Sequence, residues 1–204
     1  MVTAIVSDGP AFGHPARTHC AGPRKSDVTR VNAPRFGLEE CNNEREREFV
    51  ELLHAHAEAG GWFADSWPRD DRLVLSVCPS DPEQRCVLRT LRVDFDGVAV
   101  SYGPDETHQF VTDLDPTRPA VTVMDGRPVA EMALAAATWL QREMCRPIMR
   151  HEWDRPDFRR KVWVLADTGE ELVVSDSSNI GRRQRLGPPD RVVQVWGNRE
   201  PQNP

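Results

Sequence analysis

Long apolar stretches are missing from this 204-residue chain. Its longest apolar runs are about as long as Met132–Ala137, which has six residues, whereas a membrane-spanning helix needs roughly 20 apolar residues. The amino-terminal Val2–Val6 run is too short for a secretory signal peptide and has no basic segment before it. We therefore predict a cytoplasmic protein that does not enter a membrane.

The motifs of several enzyme and metal-binding classes are also absent. The five cysteines include no CxxC pair, so the ligand spacing of a structural zinc site is missing. No glycine-rich phosphate loop follows a strand, and neither GxSxG nor HExxH occurs. With an odd number of cysteines and no export signal, we expect reduced thiols, no metal and no cofactor.

Lysine is nearly absent, since Lys25 and Lys161 are the only two, and the net charge of −6 is unevenly distributed. Residues 39–125 hold nineteen acids and eight bases, whereas the segments on either side are weakly basic. An acidic body repels nucleic acid and attracts a basic protein through long-range electrostatics. We predict a basic protein partner and no nucleic acid; the alternative is an acidic surface that is only solvated.

The chain divides into three segments by composition. Residues 1–38 are rich in glycine and proline without a periodic apolar pattern, which predicts a disordered tail. A GTG start codon at Val28 or Val31 is an alternative that would remove most of this tail. Residues 39–197 are predicted to form a single α+β domain, and residues 198–204 a disordered carboxyl terminus.

Two amphipathic helices are predicted. The first covers about Glu40–Ala59, and the second runs from about Pro128 to Cys145. Apolar residues recur at helical spacing in both, which places one face of each helix against a core. These faces consist of Phe49, Leu52, Leu53 and His56 in the first helix, and of Val129, Met132, Ala133, Ala136, Leu140 and Met144 in the second.

Alternating apolar residues predict an antiparallel, meander-like sheet of about five to eight strands. With both helices packed on one face of this sheet, the fold class is α+β. The predicted strands are Arg72–Cys78, Cys86–Phe95, a strand after Gly97, Gln109–Leu114, Ala120–Met124, Ile148–Trp153, Val162–Ala166, Leu172–Ser175 and Val192–Trp196.

The dipeptide at 96–97, Asp-Gly, indicates a two-residue hairpin turn. Such a turn pairs Phe95 with Val98 and Val93 with Val100, and it directs these side chains into the core. The opposite face, which we expect to be solvated, carries Arg92, Asp94, Ala99 and Ser101.

An acid–base pair is the basis of an enzyme hypothesis. His151 is close in sequence to Glu152 and Asp154, and a histidine beside a carboxylate can act in general acid–base catalysis. A strand, however, would place His151 on the face opposite to both acids. A pattern of ion pairs at a sheet edge is the alternative that we prefer.

Other candidate groups are less specific. His54 and His56 are two positions apart, and at about 100° per helical residue they cannot bind one metal ion together. Cys78 and Cys86 lie at the two ends of one hairpin loop and are expected to be ordinary thiols, since no base is visible beside them.

Tryptophans beside acids suggest a protein interface. Trp62 and Trp67 flank an acidic loop, and tryptophan anchors many interfaces whose rims are polar. Acids in or beside the turns that follow strands would supply the charge. The predicted partner-binding residues are Trp62, Trp67, Asp94, Asp96, Asp105, Glu106, Asp113 and Asp115.

One part of the chain resembles a known family. Residues 123–129 lead into the alanine-rich helix, and the dipeptide at 146–147, Arg-Pro, launches a strand that closes on Trp153. This order is similar to the carboxy-terminal part of the first-described immunity-protein family of bacterial polymorphic toxin systems. The resemblance spans about Arg72 to Trp153, including Tyr102. The chain departs from it in the roughly fifty residues after Trp153 and in the amino-terminal tail.

The resemblance implies a non-enzymatic cytosolic protein that binds and blocks a toxin. Combined with the acidic body, it favours an immunity- or antitoxin-type inhibitor that masks a basic toxin domain and has no catalytic residues. Two alternatives remain: a small α+β enzyme that uses His151 with Glu152 or Asp154, and an accessory ligand-binding protein.

Overall fold

The computed structural model describes residues 38, 41–60, 65–68, 71–105, 112–156, 158–176 and 187–197, with only the backbone of 58–60 and 65–68. The remainder of the predicted tail, residues 1–37, and the predicted carboxyl terminus lie outside the described residues. Leu38, which we had assigned to the tail, packs against the main core and belongs to the folded body.

In the described part of the chain, two helices and eleven mostly antiparallel strands confirm the α+β class. The second helix begins and ends within one residue of its predicted bounds. The elements are α1 (Glu44–Gly60), β1 (Asp65–Pro68), β2 (Leu73–Val77), β3 (Ser80–Asp81), β4 (Cys86–Val87), β5 (Leu91–Phe95), β6 (Ala99–Pro104), β7 (Thr122–Asp125), α2 (Val129–Met144), β8 (Ile148–Arg155), β9 (Phe158–Leu165), β10 (Glu171–Asp176) and β11 (Arg191–Trp196).

The described strands form two main sheets and a small hairpin instead of one continuous sheet. The five-stranded sheet has the order β1-β2-β5-β6-β7, the four-stranded sheet has the order β10-β9-β8-β11, and β3 pairs with β4. The predicted strand over 86–95 is split between β4 and β5, because buried Leu88 leaves the first sheet to join the core of the second. Of the predicted strand Gln109–Leu114, residues 112–114 are not in a strand, and the remainder lies outside the described residues.

Both helices pack on one face of the five-stranded sheet, as predicted. Phe49 of α1 stacks on Phe95 of β5 with ring centroids 4.3 Å apart. Met132 and Leu140 of α2 are fully buried in the same core. The face of β5 that carries Val93 is therefore interior because two helices cover it.

The pairing of β5 with β6 differs from the prediction by two residues. Phe95 pairs with Val100, and Val93 pairs with Tyr102. Because side chains alternate with a period of two, a shift of two residues preserves the face of every side chain. Val93 and Val100 are accordingly buried as predicted, whereas Val98 is 62 % exposed and does not pair with Phe95.

The turn is centred one residue later than predicted because Asp96 closes it with its side chain. Its Oδ1 accepts hydrogen bonds from the backbone N–H of Val98 at 2.8 Å and of Ala99 at 2.7 Å. Gly97 occupies the left-handed region with φ of +87°, which glycine adopts without strain. The centre of the turn is thus Gly97 and Val98, and Asp96 is the residue that precedes it.

Candidate functional site

Two predicted partner-binding acids, Asp94 and Asp105, are buried. They surround Arg92, whose side chain is 1 % exposed. Arg92 donates to Asp94 from Nε at 2.6 Å and from Nη2 at 2.8 Å. Its Nη1 donates to the Thr112 carbonyl oxygen at 2.6 Å and to Asp105 at 3.4 Å. Our prediction of a solvated face was wrong, because a bidentate ion pair allows these charges to lie inside the protein.

The environment of Asp94 is that of a structural group. Burial raises the pKa of Asp94, while the hydrogen bonds from Arg92 act in the opposite direction. A carboxylate in this position is not accessible to a partner protein. Asp94 and Asp105 therefore pair with Arg92 inside the protein, on the side of the five-stranded sheet opposite to the helices, and do not form an interaction surface.

Asp96 is exposed and lies at one end of the five-stranded sheet. Asp125 is at the same end, because it pairs with Ala99 on the far side of the turn. Asp71 comes two residues before Leu73, which pairs with the last residue of β5. We call the end of the sheet that carries Asp71, Asp96 and Asp125 the turn end; all three residues are exposed.

Asp113 joins the turn end through an arginine. Arg72 donates from Nη2 to Asp71 at 2.6 Å and forms an ion pair from Nη1 with Asp113 at 3.1 Å. The hydrogen bond from Arg72 to Asp71 is the largest cause of the raised pKa of Arg72. One base thus bridges two exposed acids at the turn end.

The remaining predicted residues lie elsewhere. Asp115 is exposed and accepts hydrogen bonds from the backbone N–H and the hydroxyl of Thr117, which hold its pKa below the ordinary value. Trp67 belongs to β1, and its backbone pairs with Val74, one position from the turn end; its side chain is outside the described atoms. Trp62 and Glu106 lie outside the described residues.

A second buried charge network was missed by sequence reasoning. Arg150 on β8 is fully buried and donates to Asp81 at 2.6 Å, to Glu83 at 2.7 Å and to Glu152 at 2.6 Å. Asp81 also accepts a hydrogen bond from Trp163 Nε1 at 2.9 Å. We call these five residues the Arg150 network, and it joins the β3–β4 hairpin to the four-stranded sheet.

The Arg150 network favours the ionised forms of Asp81 and Glu83. Burial of Asp81 opposes ionisation, but hydrogen bonds from Trp163 and Arg150 hold its pKa below the ordinary value. A hydrogen bond from Arg150 likewise lowers the pKa of Glu83. The sequence carried one sign that Arg150 is buried: it is two residues from Ile148 and therefore lies on the same face of the strand, and Ile148 is buried in the second core.

The acid–base pair of the enzyme hypothesis is not assembled. The ring of His151 lies 6.2 Å from that of Trp153, on the face of β8 opposite to Glu152. Glu152 is occupied by Arg150 and lies 3.6 Å from Arg191, and Asp154 is exposed and paired with Arg159. No histidine–carboxylate contact therefore arises from these three positions.

The other candidate groups show no arrangement for chemistry. Within the described ranges, no three histidine, cysteine or acidic side chains are grouped to bind a metal ion. Cys78 and Cys86 are both free thiols, and burial raises the pKa of Cys86, which disfavours a reactive thiolate. Cys145, in contrast, is disulfide-bonded, so the expectation of reduced thiols was wrong for this residue. His54 and His56 are both partly exposed on α1.

None of the helices in the described part is long and apolar enough to cross a membrane.

No protein-family model, no curated protein and no solved structure matches this chain. The resemblance to the immunity-protein family therefore depends on the residues between Arg72 and Trp153 alone.

Proposed function

We propose that this protein is a non-enzymatic, immunity-type inhibitor that binds a basic protein domain at the turn end of its five-stranded sheet. The observation that carries this proposal is the placement of the exposed carboxylates of Asp96 and Asp125 on adjacent connections at one end of the sheet. Asp71 and Asp113 share one base, Arg72, and together leave one further negative charge beside them. The similarity of the segment from Arg72 to Trp153 to the immunity-protein family implies the same function.

The geometry of Asp96 suits recognition of a cation. Two backbone N–H groups fix one carboxylate oxygen, so little side-chain freedom is lost when a partner binds. Charges at the rim of an interface chiefly accelerate association, and opposing potentials suppress binding of partners with the wrong charge. A basic toxin domain would thus be attracted to the turn end before close contacts form.

An aromatic anchor would complement these charges. The backbone of Trp67 lies near the turn end, at the edge of the sheet opposite to β7. Tryptophan side chains often account for about 2 kcal/mol or more of the binding free energy at an interface. We propose Trp67 as an anchor beside the acids of the turn end; the second predicted anchor, Trp62, lies outside the described residues.

The test uses a basic toxin domain captured from the source cell by pull-down with this protein, with association measured at two salt concentrations. The double substitution Asp96→Arg and Asp125→Arg should slow association by about tenfold at low salt and flatten its salt dependence. Glu48→Arg with Glu51→Arg is the matched control, because both acids are exposed on α1 and the charge change is identical. The control pair should have a clearly smaller effect.

Two results would contradict the proposal. The first is that pull-down with the protein captures no basic toxin domain. The second is that reversal of the turn-end acids changes the association rate no more than reversal of the α1 acids does. Trp67→Ala should act on the dissociation rate instead, raising it by about tenfold.

A further inference from the structure

We propose that the partner is bound by strand addition: an extended, basic segment of the partner pairs with the open edge of β7 in the five-stranded sheet. Only the sign of the partner's charge rests on the proposed function. The pairing itself is inferred from how the edges of the two main sheets differ.

Three of the four outer strands of these sheets carry a feature that opposes pairing with another chain. The pairing of β10 is interrupted between Glu171 and Val173, and that of β11 between Gln194 and Trp196. The third, β1, ends in Pro68, which has no N–H to donate. Bulges and prolines at edges are common devices against unwanted strand pairing.

The fourth outer strand, β7, has none of these features. It pairs with β6 at four successive positions without a register shift. Its sequence, Thr-Val-Met-Asp, contains neither proline nor lysine. Its outward N–H and carbonyl groups form no hydrogen bond with the described part of the chain beyond the ladder with β6. A regular, unprotected edge is a template for an added strand.

The side chains of β7 indicate what kind of strand fits. Val123 is 51 % exposed, and Asp125, two positions later on the same face, is also exposed. Met124 points the other way and packs against the main core. An added strand would therefore place an apolar residue beside Val123 and a lysine or arginine beside Asp125, since opposite charges on neighbouring strands stabilise their pairing.

Nearby charges agree with a basic strand. Asp96 is at the same end of the sheet as Asp125, one strand further in. The nearest base that follows in sequence, Arg127, comes after Gly126, whose φ of +60° turns the chain away from the strand direction. Arg127 is thus beyond the end of the ladder on which the partner would pair.

The first test uses synthetic probes and the full-length, isotope-labelled protein. One probe is a capped hexapeptide of two Lys-Val-Val repeats, which can place a lysine beside Asp125 and a valine beside Val123 on the same face, and the control is a capped hexapeptide of two Lys-Pro-Pro repeats, which has the same charge but is a poor strand. We expect the lysine–valine peptide to shift the backbone amide resonances of Thr122–Asp125 and to bind at least about fivefold more tightly than the control. Equal binding of both peptides, or shifts confined to other strands, would refute strand addition.

A matched pair of substitutions separates pairing from charge. Val123→Lys and Val98→Lys add the same charge at two exposed valines near the turn end, but only Val123 lies on the β7 edge. Strand addition predicts about tenfold weaker binding of the lysine–valine peptide for Val123→Lys and about twofold for Val98→Lys. Equal weakening would mean that charge alone attracts the peptide, and the proposal would be wrong.

The two proposals fail in different ways. In the first case, the peptide shifts the resonances of β7, but reversal of Asp96 and Asp125 leaves the association rate of the toxin unchanged. This result would support strand addition and reject the inhibitor function at the turn end. A charge-dependent toxin complex with no response of β7 to the lysine–valine peptide would reject strand addition alone.

Discussion

Replacing Arg150 with methionine is the sharpest test of how this fold is held together. Arg150 is fully buried and donates to Asp81, Glu83 and Glu152. Methionine keeps most of the length and volume of the side chain but removes its charge and its donors. The substitution would therefore leave the buried carboxylate of Asp81 without its counter-ion.

The expected loss of stability follows from the partners that remain. Removing one member of a buried ion pair costs about 3–5 kcal/mol, because the other charge stays buried and uncompensated. Asp81 would keep the hydrogen bond from Trp163 and those from the backbone N–H groups of Glu83 and Gln84. We therefore expect a decrease of about 3 kcal/mol in the free energy of unfolding, or about 6–12 °C in Tm.

The control is on the same strand. Arg155 also forms an ion pair, with Asp190 at 2.9 Å, but its side chain is 46 % exposed. Arg155→Met should lower the free energy of unfolding by less than about 1 kcal/mol, as is usual for exposed ion pairs. Urea unfolding followed by circular dichroism measures both variants, and an unchanged m value shows that only stability has changed.

The pH dependence gives an independent check. The pKa of Asp81 is lower in the folded protein than in the unfolded chain, so its stabilisation is present at neutral pH and is lost as pH falls through the folded pKa. Without Arg150, burial would raise the pKa of Asp81, and protonation of Asp81 would remove the unpaired buried charge from the variant. The difference in free energy of unfolding between the wild type and Arg150→Met should therefore decrease between pH 7 and about pH 4. A loss no larger than that of Arg155→Met, or a gap independent of pH, would refute this reasoning.

Two further predictions concern the β5–β6 hairpin. Val93 is fully buried, so Val93→Asp should cost about 4 kcal/mol or more by burying an unpaired carboxylate; a variant that stays folded in mild urea would contradict this. Asp96→Ala should cost about 1 kcal/mol, because the N–H groups of Val98 and Ala99 lose their acceptor. Asp96→Asn retains an acceptor and should cost less than half as much in the same assay, whereas equal costs would show that the charge matters more than the turn.

Local periodicity predicts most helices and strands of this fold, but it does not predict which strands pair with each other. The stripe of Met132, Ala136 and Leu140 defines α2 within one residue, because only a helix brings those positions to one face. Alternation likewise identifies β10 and the second half of β9, but it missed residues 158–161 of β9. It does not state which strand lies beside which, and so the division into two main sheets could not be predicted. The loop at Leu88 that separates them has no distinctive pattern of its own.

The burial of Arg92 and Arg150 could not be predicted from the sequence for a related reason. Polar residues alternate with apolar ones in β5 whether the polar face meets water or meets paired charges, so Arg92 and Asp94 gave the pattern of a half-solvated strand. The pairing of Arg150 with Asp81 joins positions 69 residues apart. No local rule connects such positions, and only the tertiary structure decides whether an acid on a strand is a surface charge.

The burial of acids changes what the composition implies about binding. Among the nineteen acids of residues 39–125, Asp81, Asp94 and Asp105 are neutralised inside the protein, and Glu46 is buried where it accepts a hydrogen bond from Asn42 at the start of α1. The external field is therefore weaker than the segment charge suggests, and it is concentrated where exposed acids lie together. A uniformly acidic body would respond equally to the reversal of any acid. If the partner binds at the turn end as proposed, the effect of reversing an acid should instead depend on its position and be largest there, because screening by salt weakens the contribution of exposed charges that lie farther from the partner.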